Sequence, residues 1–141
     1  MFARRLSIKV KEAADKDTIE PGTLYFASPG YHLSVERDGS FSLSQEARVH
    51  YSRPSIDYLF ESAADTYEAR LAAILLTGAN QDGAQGIATV KQSGGLTIIQ
   101  DPEEALVSTM PQAALDRMKP DYILPLRGIG RLLVELERIE C

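Results

Sequence analysis

Asp82 closes the segment Thr77-Gly78-Ala79-Asn80-Gln81-Asp82-Gly83, a polar, glycine-bearing loop that follows the apolar run Leu71 to Leu76. A carboxylate in that setting can orient a histidine and stabilise its imidazolium form, the acid's role in a nucleophile, base and acid triad. It can equally accept backbone N–H bonds where a helix opens at Ala84, and spacing alone favours that capping reading. Gly78 and Gly83 suit a tight turn first and a close ligand approach second. Gly-x-x-x-x-Gly also begins a phosphate-binding loop, but no Lys-Ser or Lys-Thr pair follows Gly83, so the nucleotide reading loses its main support.

The remaining candidates are weaker when taken singly. His32 could act as a general base, since imidazole titrates near neutrality, yet it sits beside Tyr31 and Leu33 in an alternating, strand-like segment that favours a structural or surface histidine. His50 precedes Tyr51-Ser52-Arg53-Pro54-Ser55 and reads as an exposed loop residue. That stretch joins an aromatic, a fork donor and a rigid turn, which suits a wall for a peptide substrate as well as a helix entrance. Ser28, Ser52 and Ser55 lie in turn settings, and none occupies a G-x-S-x-G elbow. A single Cys141 and two histidines leave no basis for a disulfide or a zinc cluster, and no metal or cofactor is expected.

The elements that must position Asp82 follow from periodicity. Ser7 to Glu12 alternates like a half-buried strand, and Pro21-Gly22 turns into the apolar run Thr23 to Ala27. Tyr31 to Arg37 and Ser40 to Gln45 both alternate, and Asp38-Gly39 between them suits a two-residue turn with positive φ, which predicts a β-hairpin. Ser55 can cap a helix in which Ile56, Leu59, Phe60, Ala63 and Ala64 form the apolar stripe. Leu71 to Leu76 reads as a strand covered on both sides, Ala84 to Ser93 as a helix ended by Gly94-Gly95, and Leu96 to Gln100 as a second buried strand. A helix from Met110-Pro111 to about Met118, a strand over Tyr122 to Leu124 and a terminal helix over Gly128 to Ile139 complete the series, with Pro111 in a first helical turn. From Leu71 onward the order is βαβαβα. It predicts an α/β fold with a doubly wound, mostly parallel sheet in three layers, and it places the loop ending at Asp82 at a strand's carboxyl end, where such sheets gather their chemistry.

Length and charge narrow the function classes. The chain has 141 residues and 15.5 kDa, the size of one domain, and no repeat or linker divides it, so 1–141 is read as a single unit. Fifteen Lys and Arg against twenty Asp and Glu give a net charge of −5, which leaves no broad basic surface for nucleic acid. The basic residues near the two ends, Arg4, Arg5, Lys9 and Lys11 with Arg127, Arg131 and Arg138, read as solvated charge. No apolar run approaches the ~20 residues of a membrane span, and the start Met1-Phe2-Ala3-Arg4-Arg5 lacks a secretory apolar stretch, so a cytoplasmic protein without membrane insertion is expected.

Several segments together resemble the catalytic domain of the CheB-type chemotaxis protein-glutamate methylesterases. They are Phe2-Ala3-Arg4-Arg5-Leu6, Val10-Lys11-Glu12-Ala13, Pro21 to Ala27 with His32, Ser52-Arg53-Pro54-Ser55-Ile56-Asp57, Leu76 to Ala84, Gln100-Asp101, and Met110-Pro111-Gln112-Ala113-Ala114, in the family's order over nearly the whole chain. The resemblance implies a serine hydrolase that demethylates γ-glutamyl methyl esters on the cytoplasmic region of methyl-accepting chemoreceptors, and in some members deamidates receptor glutamines. It makes Asp82 the triad acid and puts Ala79, a Met in many members, at a position whose backbone N–H helps bind the oxyanion.

The family's nucleophilic Ser and base His precede the Phe-Ala-x-Arg-Leu segment with which this sequence opens, and His32 matches a histidine outside the triad. The expectations that follow are a sheet lacking its first strands, an unpaired edge open to a homodimer, no receiver domain, and little esterase activity from these residues alone. A non-catalytic receptor-binding or signalling module on the same fold is the alternative.

Overall fold

A computed structural model of the chain describes residues 9–45, 53–76, 82–104 and 109–140. Four strands come first: β1 (Lys9–Glu12), β2 (Thr23–Phe26), β3 (His32–Val35) and β4 (Phe41–Ser44). β1 and β2 pair in parallel, Val10 opposite Leu24 and Glu12 opposite Phe26. All four residues of β1 are exposed, so the half-burial expected from its alternation is not found. The reason is that β1 and β2 form a two-stranded ribbon that meets the hairpin core through Tyr25 of β2, edge-on to Phe41, while Val10 and Phe26 stay at 51% and 52% exposure.

β3 and β4 form the expected antiparallel hairpin, Val35 opposite Phe41, but the turn differs from the expected one. Gly39 has φ +83° while Asp38 stays at negative φ. Gly39 N–H donates to Glu36 O at 2.9 Å and Glu36 N–H to Ser40 O at 2.8 Å, so the connection is a three-residue loop with glycine at the left-handed position. Asp38 instead accepts from the Ser40 N–H at 3.0 Å and the Ser40 hydroxyl at 2.6 Å, and needs no left-handed backbone to do so.

Helix α1 (Ile56–Tyr67) begins where Ser55, extended at φ −107° and ψ 134°, accepts the Tyr58 N–H. A short 3₁₀ turn, Glu68–Arg70, leads to β5 (Ala72–Leu75). There follow α2 (Ala84–Gln92), β6 (Leu96–Gln100), α3 (Thr109–Arg117), β7 (Tyr122–Leu124) and α4 (Leu126–Glu140). β5, β6 and β7 pair in parallel in that order, with Ile74 opposite Ile98 and Ile99 opposite Ile123. This is the α/β architecture expected from the order of elements, each parallel step bridged by a helix.

Ile98 and Ile99 are both fully buried, so both faces of β6 are covered, as its unbroken apolar run requires. β5 departs from that pattern, since Ala73 and Leu75 are buried while Ala72 is exposed. It lies at the end of the described sheet, and only the face turned to α2 is closed. One apolar cluster joins Ala73, Leu75, Ile87, Val90, Ile99 and Ala114 between sheet and helices. A second joins Ala13, Leu33, Val35 and Phe41 beneath the hairpin. α1 is shared by both, Ala64 facing the first and Ala63 the second, which fixes the hairpin and the parallel sheet against one helix. No helix among the described residues is long and apolar enough to cross a membrane.

Candidate active site

Asp82 is buried at 2% exposure, just ahead of α2. Its Oδ1 accepts the Ser55 hydroxyl at 2.8 Å and the Asp57 N–H at 3.0 Å, and its Oδ2 accepts the Ile56 N–H at 2.6 Å. All three are donors, and an ionised carboxylate, which only accepts, satisfies them all. The carboxylate thus sits on the amino end of α1, where backbone N–H groups and the helix dipole both favour negative charge.

The capping reading from spacing is therefore right in kind and wrong in helix. Asp82 caps α1, 25 residues away, while the helix it precedes is capped by Asp57, whose Oδ1 accepts the Gly83 N–H at 2.9 Å and the Gly86 N–H at 2.7 Å. Gly83 explains why the two helix starts can approach so closely. It has φ +103°, and a Cβ there would lie 2.6 Å from Leu75 Cδ1 and 3.2 Å from Ile56 Cγ2.

His32 is fully buried, stacked on Tyr58 with ring centroids 4.6 Å apart and planes 11° apart. Its Nδ1 accepts the Ser55 N–H at 3.2 Å, which fixes that nitrogen as the unprotonated one and turns it to the backbone of Ser55. A structural histidine is what the alternating pattern favours, and the structure agrees. Ser28 donates to Ala13 O at 3.3 Å and takes no part in the Asp82 cluster. Ala79, Gly78, Ser52 and His50 lie outside the described residues, as does the rest of the 77–81 loop. Arg53, ahead of the cis Arg53–Pro54 peptide, donates to Gln45 O at 3.1 Å. The Tyr51 to Ser55 stretch reads as a substrate wall or a helix entrance, and its described end is a helix entrance. Pro111 lies in the first turn of α3, as expected.

Two members of this cluster escape a reading by sequence. Asp57 has the local appearance of an acid in a first helical turn, and only its 4% exposure and its bonds to Gly83 and Gly86 show that it ties α1 to α2. Ser55 is legible as a cap, but not as a donor to a carboxylate 27 residues away. A cleft of about 670 Å³ among Asp15, Lys16, Glu36 and Arg37 does not reach Asp82.

The cluster can hold a carboxylate, desolvated and aimed by three donors, as an acceptor for a histidine N–H. The family model for CheB methylesterase matches residues 1–133. The chain belongs to the CheB methylesterase family. In fold it is similar to the crystal structure of the Thermotoga maritima CheB methylesterase catalytic domain, with a TM-score of 0.83 and 34% identity over 89% of this chain and 68% of that one. A Pyrococcus horikoshii protein-glutamate methylesterase/protein-glutamine glutaminase is 37% identical over 145 residues, 98% of this chain and 39% of that protein. A Leptospira interrogans protein that bears the same name provisionally is 47% identical over 132 residues, 94% of this chain and 68% of its own length. The chain thus spans about two thirds of the Leptospira relative and two fifths of the Pyrococcus one.

Proposed function

We propose that residues 1–141 act as one unit and supply the acid arm of a serine hydrolase that demethylates γ-glutamyl methyl esters on the cytoplasmic region of chemoreceptors, and deamidates receptor glutamines. The observation that carries this reading is the Asp82 carboxylate, buried in a chain of this family and held by Ser55, Ile56 and Asp57. In that role Asp82 accepts the N–H of a base histidine, keeps its ring in the tautomer that can take a proton from the serine, and stabilises the imidazolium that forms. The Ala79 backbone N–H is the proposed oxyanion donor, a role that its side chain does not affect.

The nucleophile and base belong to segments that in the family come before Phe2-Ala3-Arg4-Arg5-Leu6. The 141-residue polypeptide by itself is therefore expected to leave methylated receptors intact, since loss of a nucleophile or base costs several orders of magnitude in rate. Receptor-bearing membranes labelled on the ester methyl test this. The protein as its own cells make it should release labelled methanol, and the purified 141-residue polypeptide should not. Turnover by the polypeptide that Asp82→Ala abolishes would overturn the second expectation, and absence of methanol with the cell-made protein would overturn the first.

A second reading is favoured by the exposed apolar ribbon residues Val10, Leu24 and Phe26, which suit a contact surface. On that reading the chain is a receptor-binding module, or pairs with a second copy through its open strand edge. Receptor binding without hydrolysis, unchanged by Asp82→Asn, would select the module, and light scattering would report the homodimer. Cytoplasmic residence accompanies either reading, because the receptor region concerned faces the cytoplasm.

A further inference from the structure

Ser55 makes more bonds than a helix cap requires. Its Oγ accepts the Tyr58 N–H at 3.3 Å, the ordinary bond of an N-cap serine. Having accepted there, the hydroxyl directs its one proton to Asp82 Oδ1 at 2.8 Å. Its own backbone N–H is taken by His32 Nδ1 at 3.2 Å, and the His32 ring is immobilised by burial and by stacking on Tyr58. Ser55 is itself 2% exposed, so water does not compete for its hydroxyl. Donor direction, backbone position and burial are therefore all set before a base histidine arrives.

We propose that Ser55, fixed in place by His32, is a positioning residue of the esterase reaction: its hydroxyl sets the rotation of the Asp82 carboxylate that the base histidine meets. Resting on the methylesterase reading above, this adds a residue that touches neither substrate nor the reacting atoms. The Ile56 N–H holds Oδ2 and the Asp57 N–H holds Oδ1, and because the carboxylate rotor is intrinsically broad these bonds still leave a range of tilt about χ2. The hydroxyl adds a side-chain donor on Oδ1, at 2.8 Å, and narrows that range. Small errors in the position of a catalytic group lower turnover more than they lower binding.

The cap and the positioning role can be separated by choice of variant. Ser55→Gly deletes the hydroxyl while leaving an accepted N-cap residue at the helix start, and the dispersion of its amide spectrum shows that the fold is kept. Ser55→Thr keeps the hydroxyl, at a position that lines an apolar cavity of about 130 Å³ with Ala27, Leu33, Pro54, Ile56 and Leu59.

Two readouts test the proposal. In the 141-residue chain, the amide proton resonances of Ile56 and Asp57 report the carboxylate they donate to. They should shift in Ser55→Gly and return in Ser55→Thr, with the ¹⁵N signals of His32 showing the Nε2–H tautomer in all three. In the protein as cells make it, Ser55→Gly should lower kcat for methanol release about tenfold with KM unchanged, and Ser55→Thr should restore it. Unmoved amide resonances in Ser55→Gly would overturn the proposal whatever the activity. Shifted resonances with an unchanged kcat would also overturn it. Retention of full turnover by Asp82→Asn would instead overturn the triad reading, a separate failure visible in a separate variant.

Discussion

Asp57 and Asp82 each cap the helix that begins beside the other. Asp82 takes the Ile56 and Asp57 N–H groups at the start of α1, and Asp57 takes the Gly83 and Gly86 N–H groups at the start of α2. Each satisfies amides that the first turn of a helix leaves without partners, and each places its negative charge at a favourable helix end. The crossed arrangement locks α1 to α2 at Asp82. Asp57→Ala strands two buried N–H groups, and hydrogen bonds to charged acceptors contribute about 1.5–3 kcal/mol each. Urea unfolding should show a loss of about 3 kcal/mol, and a smaller one for Asp57→Asn, which keeps an acceptor oxygen. A loss below about 1 kcal/mol for Asp57→Ala would show that the amides find other partners.

The same contact forbids a side chain at Gly86. A Cβ there would lie 2.8 Å from Phe60 Cβ, 3.0 Å from Asp57 Cα and 3.1 Å from Asp57 Oδ1, and two of those atoms belong to the body of α1. Alanine gains about 1 kcal/mol over glycine inside a helix, whereas overpacking of a tight contact costs about 1–3 kcal/mol. The prediction is net destabilisation by Gly86→Ala in thermal melts. A raised Tm would mean that α1 and α2 separate freely.

Glu61 lies on the exposed side of α1, one turn beyond Asp57. Partial burial, and then the Asp57 charge, hold its carboxyl above the usual carboxylate range. A raised folded value means that ionised Glu61 works against the fold at neutral pH, a penalty absent once the group is protonated in both states. Glu61→Gln should therefore raise stability near neutrality by about 0.3 kcal/mol, after allowance for solvent screening, and the gain should vanish below about pH 4. A gain that persists in acid would assign the effect to packing.

Asp121 carries the opposite sign. The Lys91 ammonium at 2.6 Å, and then the Thr97 N–H, hold its carboxyl below the usual range. Its contribution is present above the ordinary aspartate value of about 3.9 and is lost as pH falls through the lower folded value. The pair is partly exposed, so Lys91→Ala should cost no more than about 0.5 kcal/mol near neutrality. Chemical unfolding at several pH values should show the difference from the parent chain closing in strong acid. A difference independent of pH would contradict this account.

Much of the parallel unit can be read from its sequence because local signals and tertiary packing agree there. Leu96 to Gln100 is a short apolar run set off by Gly94-Gly95, and it forms β6 with those bounds. Tyr122 to Leu124 likewise forms β7. At β1 the alternating pattern gives the strand correctly and its burial wrongly, because alternation says which residues could face a core and not whether a layer lies over them. Asp82 shows the same limit at the site. Its spacing to Ala84 suggests a local cap, but the amides it takes belong to α1, brought near only by the packing of α1 on α2. Nor does a pattern within one helix disclose Asp57, since an acid in a first turn already has a local reason to be there.

The central claim is that Asp82 serves as the acid of the esterase triad. It is tested most directly by kcat for methanol release from methylated receptors, measured on the protein as its cells make it, with Asp82 and with Asp82→Asn. The account predicts a fall of about 10⁴-fold with folding retained, the scale on which loss of the triad carboxylate acts in a serine hydrolase. Turnover within a few fold of the parent, in a variant that still folds, would contradict it.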